Sequence, residues 1–136
     1  MAQELIVGQV SELERAVTPE VTADHYGNPG VHVFATPALI ALLEQTAIVC
    51  VQDNLAPGQG TVGTRIDVQH LAATPVGLVV RSRAKLVEID GRRLVFEVEA
   101  EDERERIATG THERFIVNSM EKFLNRAAEK LQASHD

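Results

Sequence analysis

The spacing of apolar residues changes once along the chain, from a helical period to a period of two. Between residues 36 and 52 apolar positions recur every three or four residues, with Pro37 suited to the first turn and Thr36 a favoured N-cap type. A second apolar set covers another face, so we predict a helix buried on most of its circumference. The two sets are Leu39, Leu42, Leu43, Thr46 and Cys50, and Ile40, Ala47, Ile48 and Val51.

After Gly60 the alternation of apolar and polar residues predicts four strands. Asp90-Gly91 predicts a tight turn whose two central residues both have positive φ, and the charged residues 101–104 predict the tip of the next hairpin. We therefore expect a four-stranded antiparallel meander, preceded by a short strand within residues 5–17. The alternating positions are Val62, Thr64, Ile66 and Val68; Leu78, Val80, Ala84 and Leu86; Leu94, Phe96 and Val98; and Ile107, Phe115 and Val117.

The order of these elements indicates an α+β fold. A segment from Met120 onward predicts a short amphipathic helix that frays into residues 134–136. A curved antiparallel sheet wrapped around the long helix, the hotdog arrangement, would cover that helix. The 136 residues suit one such domain, spanning residues 1–136. A strand at the edge of the sheet favours pairing with a second copy of the chain.

Composition narrows the possible partners and the compartment. The formal net charge is −7, from 13 basic and 20 acidic residues, which disfavours nucleic acid and anionic membrane as partners. The single cysteine excludes an intrachain disulfide framework and a cysteine-cluster zinc site. The first residues lack the basic start and apolar run of a signal peptide, and no stretch approaches about 20 continuous apolar residues. We therefore expect a cytoplasmic protein without a membrane span.

Glu44 is the one charged residue between Thr36 and Gln52. A carboxylate on a largely apolar helix must be paired, hydrogen-bonded, protonated or next to a cavity, because removing it from water is unfavourable. This position indicates a candidate catalytic carboxylate. The structural alternatives are a helix face that reaches solvent and a buried ion pair with an arginine.

His70 follows Ile66 and Val68 in the same alternation, so we expect its imidazole on the apolar face near the end of a strand. There it can act as a general base near neutral pH, with Glu44 as partner if the helix packs beneath that strand. A core histidine bonded to a backbone carbonyl is the alternative. Thr36 is explained as a helix cap, although a helix N-terminus also suits polarisation of a carbonyl group or stabilisation of an oxyanion.

Other polar and small residues carry weaker signals. Gly63 within a strand indicates either a β-bulge or the close approach of a ligand or backbone. Arg114 can bind an anionic group of a ligand, but a salt bridge to Glu113 or Glu121 on an exposed strand is the simpler expectation. Cys50 fits helix packing rather than nucleophilic chemistry. The remaining histidines show no metal-ligand spacing; they are His25, His32, His112 and His135.

Six short segments, taken in order, resemble the fluoroacetyl-CoA thioesterase group of hotdog proteins. Each segment is weak alone, but the ordered set is much more specific and spans about residues 31–125. The segments are Val33–Pro37, Leu42–Glu44, Thr61–Thr64, His70–Pro75, Gly91–Leu94 and Gly110–Arg114.

The resemblance implies an acyl-CoA thioesterase in which Thr36, Glu44 and His70 are catalytic and Gly63 and Arg114 line the acyl and ligand pocket. It implies that Glu44, with Thr36, takes part in attack on the thioester carbonyl and that His70 is the general base or activates water. It also implies a homodimer with coenzyme A along the subunit interface, and two such dimers can pair further into a tetramer. No cofactor beyond the coenzyme A of the substrate is expected.

The chain departs from the family pattern before the helix. The best-known member gates its pocket there with phenylalanines, whereas this chain has no phenylalanine before Phe34 and carries residues 26–30 as Tyr-Gly-Asn-Pro-Gly. Two other functions remain open at this point. One is a non-catalytic hotdog module that binds acyl-CoA, and the other is hydration of an enoyl thioester, which is disfavoured because no Asp and His pair lies on one short segment.

Overall fold

A computed structural model describes residues 3–133 as five strands and two α-helices, with short 3-10 turns at Pro19–Val21 and Gln52–Asn54. The predicted C-terminal helix is confirmed, while its predicted fraying at residues 134–136 lies outside the described residues. The strands are β1 Val10–Ala16, β2 Gly60–His70, β3 Val79–Asp90, β4 Arg93–Glu101 and β5 Arg106–Val117, and the helices are α1 Thr36–Val51 and α2 Met120–Ala133.

The five strands form one antiparallel sheet in the order β1-β3-β4-β5-β2. The predicted four-stranded meander is therefore wrong for β2, because β2 pairs with β5 and not with β3. Residues 71–78 carry the chain from one edge of the sheet to the other side of β4. Alternation identifies strands but not their neighbours, since long-range pairing decides the order. β2 lies at one edge of the sheet and β1 at the other.

The helix α1 packs on one face of this sheet, and the α+β hotdog prediction is confirmed. The inward side chains of β3 and β4 form the core with α1, including Leu39, Leu43, Leu86 and Phe96, all fully buried. Polar contacts also hold the helix. Ser11 Oγ donates to the carbonyl of Thr46 over 2.6 Å, and the Thr46 and Ser82 hydroxyls are hydrogen-bonded to each other.

Burial of α1 is less complete than its composition predicts. Ile48 and Val49 are 39% and 44% exposed, so one side of the helix is open within a single chain. The helix is apolar on that side as well as on the side facing the sheet, which is why the sequence pattern indicated burial all round. Within residues 3–133, no helix is long and apolar enough to cross a membrane.

A bulge in β2 changes which of its residues face α1. The register of β2 against β5 shifts between Gly63 and Arg65, so the alternation is out of phase on either side. Gly63 and His70 therefore both lie on the α1 side, whereas Thr64 is exposed. The predicted placement of Thr64 in one class with Ile66 and His70 is wrong for this reason.

The turn between β3 and β4 also differs from its prediction. Asp90 is the last residue of β3 and pairs with Arg93, so the two central residues are Gly91 and Arg92. Gly91 has a φ of 60°, and no residue other than glycine has positive φ in the part of the chain that the structure describes. Positive φ therefore occurs only at the first central residue of this turn, and not at both as predicted. Turns of either kind connect the strands of a hairpin.

Candidate active site

Thr36 and His70 meet where the first turn of α1 lies beside the last residue of β2. Thr36 Oγ1 is 2.8 Å from His70 Nδ1, a hydrogen-bond distance. The hydroxyl is exposed, while the imidazole is partly buried. The two residues lie 34 positions apart in the sequence, and packing of the helix end against the strand end brings them together.

The prediction of Thr36 as the helix N-cap is wrong. Ala35 is the N-cap, Thr36 is the first helical residue, and no side chain makes a capping hydrogen bond at this end. The hydroxyl of Thr36 contacts His70 instead. An N-cap residue needs extended backbone, which Ala35 adopts with φ −75° and ψ 143°.

His70 is poised as a neutral imidazole. Burial lowers its pKa below the ordinary value of 6.5, and a smaller interaction with the backbone of Ala72 acts in the opposite direction. Its Nε2 is buried and makes no hydrogen bond to any of the residues 3–133. Buried polar atoms in proteins usually make a hydrogen bond, and water, substrate or a second copy of the chain can supply one here.

Glu44 is the carboxylate of a second cluster. Its Oε2 accepts a hydrogen bond from Arg114 Nη1 over 3.0 Å. The Glu44 side chain is 39% exposed, whereas Arg114 is only 4% exposed. The ion-pair alternative considered for Glu44 is therefore present, with one carboxylate oxygen held and the side chain open to solvent on one side.

Arg114 is not on the exposed face of β5, and the expectation of a surface salt bridge is wrong. It pairs with Glu44 rather than with Glu113 or Glu121, and burial lowers the pKa of its guanidinium while Glu44 raises it. Glu113 points to the opposite face and pairs with Arg93 over 2.7 Å.

Gly63 combines the two explanations offered for it. It lies at the bulge, and the close approach comes from the Glu44 side chain. A Cβ at this position would lie 2.6 Å from Glu44 Oε2, which is too close, and 3.1 Å from Arg114 Nη1, which is a tight contact. Glycine therefore leaves the space that the ion pair occupies.

His112 belongs to the same cluster, although the sequence pattern assigned it no role. It is 1% exposed, its Nε2 lies 3.9 Å from Glu44 Oε2, and its ring stacks on Phe96 with centroids 6.2 Å apart. Its pKa is lowered, chiefly by burial. The sequence did contain a signal for this role. His112 and Arg114 are two positions apart on one strand, so alternation places both polar side chains on the same face. The apolar Phe115, which is actually 38% exposed, indicated the opposite face as the inner one.

The two clusters do not join within one chain. No hydrogen bond or ion pair links Glu44 to Thr36 or His70 among residues 3–133. The eight residues between Thr36 and Glu44 correspond to about 12 Å along a regular helix. The predicted pairing of Glu44 with His70 is thus absent from the single chain. Both clusters lie along α1 and β2, so substrate, water or a second copy of the chain would have to connect them.

Comparison with known proteins identifies the family of this chain. The family model of FlK, the fluoroacetyl-CoA-specific thioesterase, matches residues 17–120. The chain belongs to this thioesterase family. The fluoroacetyl-CoA thioesterase of Streptantibioticus cattleyicolor is 42% identical over 101 residues, which are 74% of this chain and 72% of that protein.

Solved structures support the family and the fold. A serine-for-threonine variant of the FlK thioesterase in complex with acetyl-CoA is 35% identical, with a TM-score of 0.86 over 93% of this chain and 98% of that one. A hot-dog-like protein from Thermanaerovibrio acidaminovorans is 26% identical, with a TM-score of 0.83 over 91% of each chain. The resemblance noted in the sequence is therefore confirmed at the level of the thioesterase family.

Proposed function

We propose that this protein is an acyl-CoA thioesterase that hydrolyses a small acyl-CoA to the free acid and coenzyme A. The observation that carries the proposal is the Thr36 hydroxyl at 2.8 Å from the imidazole of His70 in a member of a thioesterase family. A neutral imidazole beside a hydroxyl is suited to general-base chemistry near pH 7. The FlK thioesterase variant that binds acetyl-CoA supports an acyl-CoA as the substrate.

The reaction adds water across the thioester. His70 accepts a proton as Thr36 or a water molecule, acting with Glu44, attacks the carbonyl carbon. The carbon–sulfur bond breaks, and the thiolate of coenzyme A takes up a proton to leave as the thiol. If Thr36 is the attacking group, water then cleaves the acyl ester to give the same acid. Gly63 and Arg114 are proposed to line the pocket beside the acyl group.

The site is proposed to be completed in a homodimer. His70 Nε2 is buried and unsatisfied, the Glu44 cluster is separate from Thr36, and β2 lies at the edge of the sheet. An unpaired edge strand favours pairing with another copy, and an isologous interface would bring two such strands together. Analytical ultracentrifugation should give twice the monomer mass, or four times if dimers associate. A monomer at assay concentration would contradict this proposal.

We further propose a single domain over residues 1–136 that works in the cytoplasm and requires no cofactor beyond the coenzyme A of its substrate. One buried cysteine and a net charge of −7 fit a reducing compartment and a partner that is neither nucleic acid nor membrane. Retained activity after dialysis against a chelator, and recovery of the protein in the cytoplasmic fraction, are the expected results.

A panel of short acyl-CoA thioesters, followed with a free-thiol reagent, tests the main proposal. Glu44→Gln and His70→Asn should each lower kcat by about a hundredfold or more. The matched control is Glu97→Gln, which changes an exposed glutamate on the outer face of the sheet. Saturable acyl-CoA binding without turnover would instead identify a non-catalytic binding module. Unchanged kcat in both site variants would remove these catalytic assignments.

A further inference from the structure

The guanidinium of Arg114 is almost fully engaged by the protein. Its Nε donates to Thr61 Oγ1 over 2.9 Å and its Nη2 to the Thr61 carbonyl over 3.0 Å. Its Nη1 donates both to Glu44 Oε2 and to His112 Nε2, over 3.0 and 3.3 Å. A guanidinium has five N–H groups, so four are directed at the protein. These hydrogen bonds hold Arg114 in the position from which it binds Glu44, an arrangement that we call the Glu44 clamp. One N–H of Nη2 is not used in it.

The hydrogen bonds of His112 determine its protonation. Its Nδ1 lies 2.7 Å from the carbonyl of Arg65, and a carbonyl can only accept, so Nδ1 carries the proton. Its Nε2 faces Arg114 Nη1, which can only donate, so Nε2 is the acceptor. His112 is thus a neutral imidazole of a single tautomer. The backbone of β2 sets this tautomer through the Arg65 carbonyl.

We propose that His112 is a positioning residue that, by accepting from Arg114 Nη1, aims the guanidinium at one oxygen of Glu44. Without this acceptor, the two hydrogen bonds to Thr61 would still hold Nε and Nη2. Glu44 would then be the only hydrogen-bond partner of Nη1. With it, Nη1 is shared between a rigid buried ring and the carboxylate, so Oε2 of Glu44 is held. Oε1 of Glu44 accepts no hydrogen bond from residues 3–133 and remains available to the reaction.

This inference rests on the proposed function for its kinetic consequence. His112→Phe keeps a ring beside Phe96 but removes the acceptor, whereas His112→Gln places an amide near the position of Nε2. His112→Phe should lower kcat by about tenfold or more, the effect of one hydrogen bond to a charged group, with KM little changed. His112→Gln, which keeps an acceptor for Arg114, should retain most of the wild-type kcat. Ile66→Val, opposite His112 on β2, is the packing control and should leave kcat close to that of the wild type.

A double-mutant cycle separates positioning from general packing. If His112 acts through Arg114, then His112→Phe and Arg114→Lys should be strongly non-additive in kcat, because either change releases the same clamp. His112→Phe and Thr36→Val should combine additively. Equal kcat in His112→Phe and the wild type, or additivity with Arg114→Lys, would overturn the inference while leaving thioesterase activity established.

Nitrogen NMR tests the inference without any turnover. The wild-type protein at neutral pH should show His112 as the Nδ1–H tautomer, with restrained Arg114 Nη resonances. The restraint should persist in His112→Gln and be lost in His112→Phe, while the Ile66→Val control retains it. An imidazolium or an Nε2–H tautomer, or equal restraint of Arg114 in all variants, would refute the role of His112. Absence of hydrolysis by the wild type would instead refute the proposed function.

Discussion

The hydroxyl oxygen of Thr36 lies 2.8 Å from Nδ1 of His70, and this contact replaces the capping hydrogen bond expected of a threonine at the start of a helix. The Thr36 side chain therefore does not stabilise the helix by capping it. Its position in the first turn nevertheless leaves it beside the free N–H groups of α1, where negative charge on a substrate is favoured.

Thr36→Val should separate chemistry from stability. The variant keeps the shape of the side chain but removes the hydroxyl, so kcat should fall by about a hundredfold or more. Because Thr36 makes no capping bond, the free energy of unfolding in urea should fall only by the contribution of the hydrogen bond to His70, about 1 kcal/mol. Thr36→Ser, which retains the hydroxyl, is the control and should keep much of the activity. A kcat of Thr36→Val close to that of the wild type would contradict a catalytic role of the hydroxyl.

Gly63→Ala should displace Glu44. The added methyl would lie 2.6 Å from Oε2, so the carboxylate must move away from Arg114. We expect at least about a tenfold loss of kcat, since a charge-assisted hydrogen bond is broken. Gly77→Ala is the contrasting control, because Gly77 has a φ of 105° and open space around it. That variant should lose stability through backbone strain while kcat is retained. Wild-type kcat in Gly63→Ala would count against the role of the Glu44 clamp.

Gly110→Ala tests the packing between β5 and β2. A Cβ at Gly110 would collide with the backbone carbonyl of Asp67 and lie 2.7 Å from the Cα of Val68. Backbone cannot move aside as a side chain does, so we expect a loss of about 1–3 kcal/mol in the free energy of unfolding. Ala108→Gly, two residues earlier on β5, provides the comparison of a buried position that loses rather than gains a methyl. Unchanged unfolding midpoints for Gly110→Ala would mean that the two strands can separate at little cost.

Stability should fall as the pH is lowered from about 7.5 to 5.5. The pKa values of His70 and His112 are below the ordinary 6.5 in the folded protein, so below pH 6.5 the unfolded chain binds protons that the folded chain does not. The contribution of the two neutral rings to the free energy of unfolding is fully present above pH 6.5, the ordinary pKa of histidine. It is lost as the pH falls towards the lower pKa values of the folded protein. Thr36 faces His70, while Arg114 and Glu44 face His112.

Urea titrations at a series of pH values provide the measurement. Carboxyl groups with lowered pKa, such as Asp102 and Glu113, act below their ordinary values of 3.8 and 4.5 and so outside this window. His112→Gln should reduce the slope of stability against pH, and His70→Gln should reduce it independently. A wild-type stability that is flat between pH 7.5 and 5.5 would contradict the burial of two neutral imidazoles.

Local patterns predicted the elements well and the pairing of strands less well. The bounds of α1 follow from Pro37 and helical spacing, and the hairpin between β3 and β4 follows from Gly91. The neighbours of β2 could not be predicted, because its pairing with β5 depends on contacts between residues 38 to 57 positions apart, from His70 with Ala108 to Gly60 with Val117. A single bulge between Gly63 and Arg65 then put the first residues of β2 out of phase with the rest, an effect that period-two counting cannot detect.

By itself, the sequence determined that a lone acid, Glu44, lies on an apolar helix and that His70 ends a strand of a thioesterase-like chain, since spacing and residue type are local properties. Only the tertiary structure decided their partners. It joined Thr36 to His70 and Glu44 to Arg114, and it buried His112 beside the second pair. Hydrogen bonds of this kind depend on the angle at which a helix crosses a sheet and on the register of its edge strand, and both arise from packing of the whole chain.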